Sequence, residues 1–171
     1  MTPEIVAWLV AAMTAWAPPG PNDGARYEAI ARDILTVALD PEEPALFDEA
    51  DGRARTALVL ASFAAAESGG FLVDVDSGKR RGSRGNVCMM QVGVGAHGTA
   101  EGWTAKDLIE SRPRCVRAGL HLLHDSTQTC RANKGADRFS AYTHGRCVAN
   151  NDITRFRVGR AQAWIKKHPM P

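Results

Sequence analysis

The chain has 171 residues, of which 44% are hydrophobic and 23% charged, and a net charge of +2. This is the balance of a globular domain; it excludes a disordered, low-complexity or fibrous chain and leaves enough residues for a sizeable core. The near-neutral total conceals two unlike halves: residues 1–78 carry 4 Lys/Arg against 13 Asp/Glu, and residues 79–171 carry 17 against 6. A basic half suits an anionic polymer such as a cell wall or a nucleic acid, unless the two halves pack together and neutralise each other.

Residues 5–17 form an apolar run preceded by Pro3 and Glu4, which suit the first turn of a helix. The run is too short to span a membrane, and no Lys or Arg precedes it as in a signal peptide. It is therefore expected to be the first helix of the fold. Export is then expected by another route, or carriage by a particle such as a phage. Pro18 to Gly24 is a break. Tyr27, Ile30, Ala31, Ile34, Leu35 and Ala38 follow the i, i+3, i+4, i+7 spacing of an amphipathic helix, ended by Asp40-Pro41-Glu42-Glu43-Pro44. Residues 54–66 are apolar nearly all round, which marks a helix buried in a core.

Beyond it, Ser68-Gly69-Gly70 supplies a chain reversal. Phe71 to Asp76 is short, β-prone and partly alternating, so residues 71–93 are expected to form a small hairpin lobe with a basic tip from Lys79 to Arg84. Helices are expected again over 105–110, 113–125, 137–142 and 154–167. The last has Thr154 as N-cap and Phe156, Gly159, Ala163 and Trp164 turned inward. The whole is expected to be one mostly α (α+β) domain over 1–171, with N-terminal helices in 1–50 and a core over 54–167.

The buried helix ends on Glu67. A helix C-terminus carries about half a negative charge. That charge and burial both favour a neutral acid over a carboxylate, which suits a general acid. Three pieces then follow in order: Glu67-Ser68-Gly69; Arg84 to Val92, ending Met90-Gln91-Val92; and Tyr142-Thr143-His144-Gly145. In order and spacing they resemble the soluble lytic transglycosylases and the goose-type lysozymes, over about residues 54–165. Those families pair a helix-ending Glu-Ser with a Gly-rich stretch into Met-Gln-(Ile/Val) and a later Tyr-Asn-x-Gly.

The resemblance implies a lysozyme-like fold and an enzyme that cleaves the β-1,4 bond between MurNAc and GlcNAc in peptidoglycan, without a cofactor. Glu67 matches the catalytic acid, and Gln91 a residue lining the sugar cleft. Tyr142 matches the tyrosine whose hydroxyl orients the glutamate, and Ser68 a supporting position. Met90 reads as core. Thr143 stands where the families usually have Asn, and Cys88-Met89 replaces a Gly-Leu pair. The aspartates that goose-type lysozymes carry correspond to Ser83 and Gly93 here.

Inverting hydrolysis needs a base about 6.5–9.5 Å from the acid. In the expected hairpin Asp74 and Asp76 are the candidates. Without them the transglycosylase route is expected, with Glu67 as acid and then base and a 1,6-anhydro end as product. The alternatives are a muramidase using Asp74 or Asp76, and a non-catalytic wall-binding or phage structural module.

Four cysteines, Cys88, Cys115, Cys130 and Cys147, allow three disulfide connectivities and suggest an oxidising destination, whether periplasm, extracellular space or virion. Cys130–Cys147 is the preferred pair, because it ties the exit of helix 113–125 to the Tyr142 loop; Cys88–Cys115 follows by elimination. Cys115, His121, His124 and Cys130 would make a loose zinc set, but structural zinc uses tighter cysteine pairs, so no metal is expected. The basic residues are scattered and not interleaved with aromatics, so no nucleic-acid partner is expected.

Overall fold

The computed structural model describes residues 1–82 and 84–171 and is mostly helical. In chain order it has α1 (Pro3–Trp16), α2 (Gly24–Ala38), α3 (Gly52–Glu67), the single turn α4 (Val73–Asp76), α5 (Ala105–Glu110), α6 (Arg112–Thr129), a 3₁₀ turn (Gly135–Phe139), α7 (Ser140–His144) and α8 (Asp152–Lys167). Helix α3 is the axis. It packs against α8, α2, α1 and α6 and is buried on nearly every side, as its lack of a polar face requires. Its two buried hydroxyls are satisfied. Thr56 Oγ1 donates to the Gly52 carbonyl, and Ser62 Oγ donates to the Arg157 carbonyl on α8. The Trp8 indole N–H reaches the His168 carbonyl at 2.7 Å and ties α1 to the end of α8.

The expected hairpin over 71–93 is not there. Residues 73–76 form a helical turn, and among the described residues extended pairing is limited to the isolated bridges Val87–Val92 and Gly95–Gly98. The burial pattern gives the reason. Phe71 and Val75, four apart, are buried, whereas Leu72 and Val73 are exposed. A strand would instead put Phe71, Val73 and Val75 on one face. Arg112 at the start of α6 then secures the turn, bonding Asp76 Oδ2 at 2.7 Å and Asp33 Oδ2 on α2 at 2.6 Å. Tertiary contacts outweigh the β preference of the valines.

Helix α8 departs in part from its expected phase, although Trp164 packs against the core as expected. Thr154, Val158 and Ala161 face inward, while Phe156 is 65% exposed and Ala163 is exposed. Its N-cap is Asn151, whose side chain accepts from the Thr154 N–H; Thr154 itself is buried.

The acidic and basic halves meet. Arg117 reaches Asp40 (3.0 Å) and Glu43, Arg112 reaches Asp33 and Asp76, and Arg157 reaches Glu67. His121 lies between Glu43 (2.8 Å) and Glu101. Burial pushes the His121 pKa down, but the hydrogen bonds and charges of Glu101 and Glu43 outweigh it, so it is raised overall. A histidine with a raised folded pKa contributes stability that is complete below its ordinary value of about 6.5 and disappears as pH rises through the folded value. The melting temperature of the wild type should therefore exceed that of His121→Gln most at about pH 6, with the gap narrowing above it. A gap independent of pH from 6 to 9 would contradict this.

Cys88–Cys115 and Cys130–Cys147 are the disulfides, and no free cysteine remains. This removes the zinc alternative, since Cys115 and Cys130 are both bridged. No helix among the described residues is long and apolar enough to cross a membrane.

Candidate functional site

Helix α3 is stopped sharply so that Glu67 is its last residue. The Ser68 hydroxyl, fully buried, donates back to the Ala64 carbonyl at 2.6 Å and accepts from the Phe71 N–H at 2.8 Å. The Gly70 N–H closes on the Ala65 carbonyl at 2.7 Å. Gly69 and Gly70 have φ of 66° and 89°, which glycine accepts without strain. Ser68 is thus a supporting residue: it fixes the reversal that leaves the Glu67 side chain at the surface of a cleft. That side chain is 22% exposed, and it is not alone. Its Oε1 accepts from Arg157 Nη1 at 2.5 Å, and the Arg157 guanidinium lies 5.1 Å from the centre of the Phe63 ring. The expected isolated acid is therefore an ion pair, and proton donation from Glu67 requires that pair to open.

Gln91 arrives on a tight turn. Val87 and Val92 exchange both backbone hydrogen bonds (3.0 and 2.9 Å), and the intervening Cys88 and Gln91 have φ of 59° and 51°. The Cys88–Cys115 bridge binds this turn to α6. Met90 is fully buried against Gly119, where an added Cβ would come within 2.5 Å of Met90 Cε. Met90 is core, as its residue type suggests. The Gln91 amide donates to the Cys88 carbonyl at 3.0 Å.

Tyr142 comes from α7. Its ring meets Phe63 edge-on at 5.2 Å, and its hydroxyl donates to the Met90 carbonyl at 2.5 Å. Burial first, and then the charge of Glu67, push the phenol upward, so it remains a donor. The tyrosine hydroxyl thus holds the Met90–Gln91 turn, while the hydrogen bond to Glu67 comes from Arg157.

Thr143 sits in a polar knot. Its hydroxyl donates to the Ser140 carbonyl (3.1 Å) and accepts from Asn151 Nδ2 (3.2 Å), with Thr154 Oγ1 3.1 Å away. The knot rests on buried Asp137, whose carboxylate accepts from Arg155 (3.0 and 2.8 Å) and from the N–H groups of Asn150 and Asn151 (2.9 and 3.1 Å). The Arg155 hydrogen bond, more than any other contact, holds the Asp137 carboxyl below its usual range. Its stabilising contribution is therefore present at neutral pH and lost as acidification passes that lowered value. Asp137→Ala should cost about 2–3 kcal/mol by orphaning these donors, read as a lower denaturation midpoint; an unchanged midpoint would contradict it.

Glu67, Gln91, Tyr142 and Thr143 line one open cleft of about 650 Å³. A second cleft of about 350 Å³ shares Glu67 and Gln91 with it and continues past Ser68 to Arg80 and Arg81. Neither Asp74 nor Asp76 lines either. Asp74 faces a different cleft, and Asp76 is held by Arg112. The further carboxylate in the Glu67 cleft, among the described residues, is Asp125 on α6, and His144 lines the same cleft. Gly93 lines it too; Ser83 lies outside the described residues. Sequence reasoning missed Arg157, Asp125, His144 and Asn151. The spacing Thr154–Val158–Ala161 could have set the phase of α8 correctly. The pairing of Arg157 with Glu67 across 90 residues has no local signature.

Comparison of the chain with family models, with characterised proteins and with solved structures finds no match.

Proposed function

We propose that the protein is a peptidoglycan-cleaving lytic transglycosylase with a lysozyme-like fold, acting on the MurNAc-β-1,4-GlcNAc bond. One observation carries the reading: Glu67, Gln91 and Tyr142, which lie far apart in sequence, line the same open cleft. Such a cleft admits a polymer that passes through, and its single helix-end carboxyl group suits one acid–base residue.

The steps balance on that residue. Glu67, freed from Arg157 and protonated from solvent, donates that proton to the glycosidic oxygen as the C1–O bond breaks. The substrate's own N-acetyl group supports the positive charge at C1. The Glu67 carboxylate then accepts the proton of the C6 hydroxyl as that oxygen bonds to C1, closing the 1,6-anhydro ring and regenerating the acid. Between turnovers the acid returns that proton to solvent, and Arg157 is a positioning residue that holds the resulting carboxylate at the mouth of the cleft.

A second reading is favoured by Asp125. A carboxylate on the same cleft offers a base for water, and the enzyme would then be a muramidase. Asp125→Asn separates the two: it leaves transglycosylation intact and stops hydrolysis. The disulfides support an oxidising destination, in the periplasm, outside the cell or in a virion.

Purified sacculi incubated with the protein should lose turbidity and release soluble fragments. Binding without release would favour a non-catalytic wall module and contradict the proposal.

A further inference from the structure

We propose that Cys147 is a thiol-exchange site, and that the Cys130–Cys147 bridge is a latch that a dithiol reductant opens, lowering the activity of the Glu67 cleft until the bridge re-forms. The effect on activity rests on the reading above; the exchange chemistry does not.

The two bridges differ in access. Cys88, Cys115 and Cys130 are buried, at 1%, 0% and 1% exposure, whereas Cys147 is exposed. The second bridge therefore has one half open to an incoming thiolate, and exchange depends on that approach. Its buried half is prepared to leave. Ser140 Oγ accepts from the Val148 N–H (2.9 Å) and from Asn133 Nδ2 (3.5 Å), which leaves its own hydrogen for Cys130 Sγ at 3.7 Å. A hydrogen bond to a departing thiolate stabilises its charge and speeds the exchange. Arg146, exposed and next to Cys147, attracts an anionic attacker. In the other bridge Cys115 Sγ accepts from the Met90 N–H at 3.4 Å, but both of its half-cystines are sealed from solvent.

The exchange balances with a dithiol as co-reactant. Its thiolate attacks Cys147 Sγ, the Cys130–Cys147 bond breaks, and the electron pair leaves on Cys130 Sγ. The second thiol then attacks the mixed disulfide and releases Cys147. The reductant departs as its own disulfide, and its protons end, through solvent, on Cys130 and Cys147.

The bridge closes the segment that forms one wall of the cleft. Residues 141–145 all line it, and Cys147 follows closely. Opening frees a short stretch only. Val148 remains bonded through its N–H to Ser140 and through its carbonyl to Asn133 (3.3 Å), and the N–H groups of Asn150 and Asn151 remain on Asp137. What loosens is Gly145 to Cys147, beginning at the left-handed Gly145 that ends α7 with φ of 68°. The wall then shifts while the fold persists.

The test titrates the protein with dithiothreitol, traps free thiols with an alkylating agent for mass spectrometry, and measures fragment release from sacculi on the same samples. Cys130 and Cys147 should be alkylated at least about tenfold faster than Cys88 and Cys115. Fragment release should fall about tenfold at that stage, the scale of a displaced cleft wall, and return on reoxidation with oxidised glutathione. Arg146→Glu should slow the opening about fivefold and leave the oxidised activity unchanged. Faster opening of Cys88–Cys115, or full activity with Cys130–Cys147 open, would overturn the proposal. If the oxidised wild type releases nothing, the catalytic reading is the one that fails. Alkylation order and hydrogen exchange then decide the latch: selective loss of protection at residues 141–147 on opening supports it, and unchanged exchange there overturns it.

Discussion

Glu67→Gln should abolish turnover and leave the protein folded. General acid–base catalysis by one positioned group is worth about 10²–10⁴-fold. Here the same carboxyl group serves in both proton transfers, so the loss should exceed about 10³-fold. An amide of the same shape has no proton to give at that strength and takes none from the C6 hydroxyl. The structural cost is small by comparison. The amide oxygen still accepts from Arg157, whose guanidinium keeps its contact with Phe63, and the Ser68 cap is untouched. Because the pair is largely buried, at 22% and 12% exposure, loss of the counter-charge should cost about 1–3 kcal/mol, with the retained hydrogen bond keeping the protein folded. Fragment release and thermal unfolding measured on one preparation check both halves. Wall clearing by Glu67→Gln at the wild-type rate would contradict the assignment.

Removing the Cys88–Cys115 bridge should be the largest stability change of any single alteration described, and should reduce activity as well. Its sequence separation of 27 gives about 3.5 kcal/mol in the chain-entropy account. Both half-cystines are buried, so the double substitution to alanine adds a packing loss. At 2–4 °C per kcal/mol, the melting temperature should fall by about 10 °C. The effect on activity follows from position. Cys88 opens the turn that carries Met90 and Gln91, and Tyr142 holds the same turn through the Met90 carbonyl. A loosened turn misplaces Gln91 beside Glu67. The Cys130–Cys147 bridge, with a separation of 17, should contribute about 3 kcal/mol and act on the Thr143 loop instead. Calorimetry of the two double variants, with fragment release measured well below their melting temperatures, separates these effects. An unchanged melting temperature without Cys88–Cys115 would contradict the account.

The elements that were legible are those whose burial repeats along the chain. The spacing of Tyr27, Ile30, Ala31, Ile34, Leu35 and Ala38 marks α2, and the absence of a polar face marks α3 as central. The reversal at Ser68-Gly69-Gly70 marks the helix end, and with it the place of Glu67. Residues 71–76 were misread because Phe71, Val73 and Val75 fall at every second position, with Asp74 and Asp76 between and after the valines. What decides the backbone is Phe71 and Val75 entering the core together and Arg112 drawing Asp76 to α6. The phase of α8 was misread because Phe156 is a large apolar residue and yet points outward, beneath the Arg160 guanidinium. The partners of Glu67 lie at the other end of the chain. A long-range ion pair such as Arg157–Glu67 depends on where α8 crosses α3, which no local pattern encodes.

The most direct measurement is mass spectrometry of the fragments released from purified peptidoglycan. A 1,6-anhydro end and a reducing end differ by one water. If Glu67 works alone, as acid and then as base, every new MurNAc terminus is anhydro and Asp125→Asn yields the same fragments. Reducing ends throughout would contradict the transglycosylase chemistry, and no fragments from the wild type would contradict the assignment of Glu67 itself.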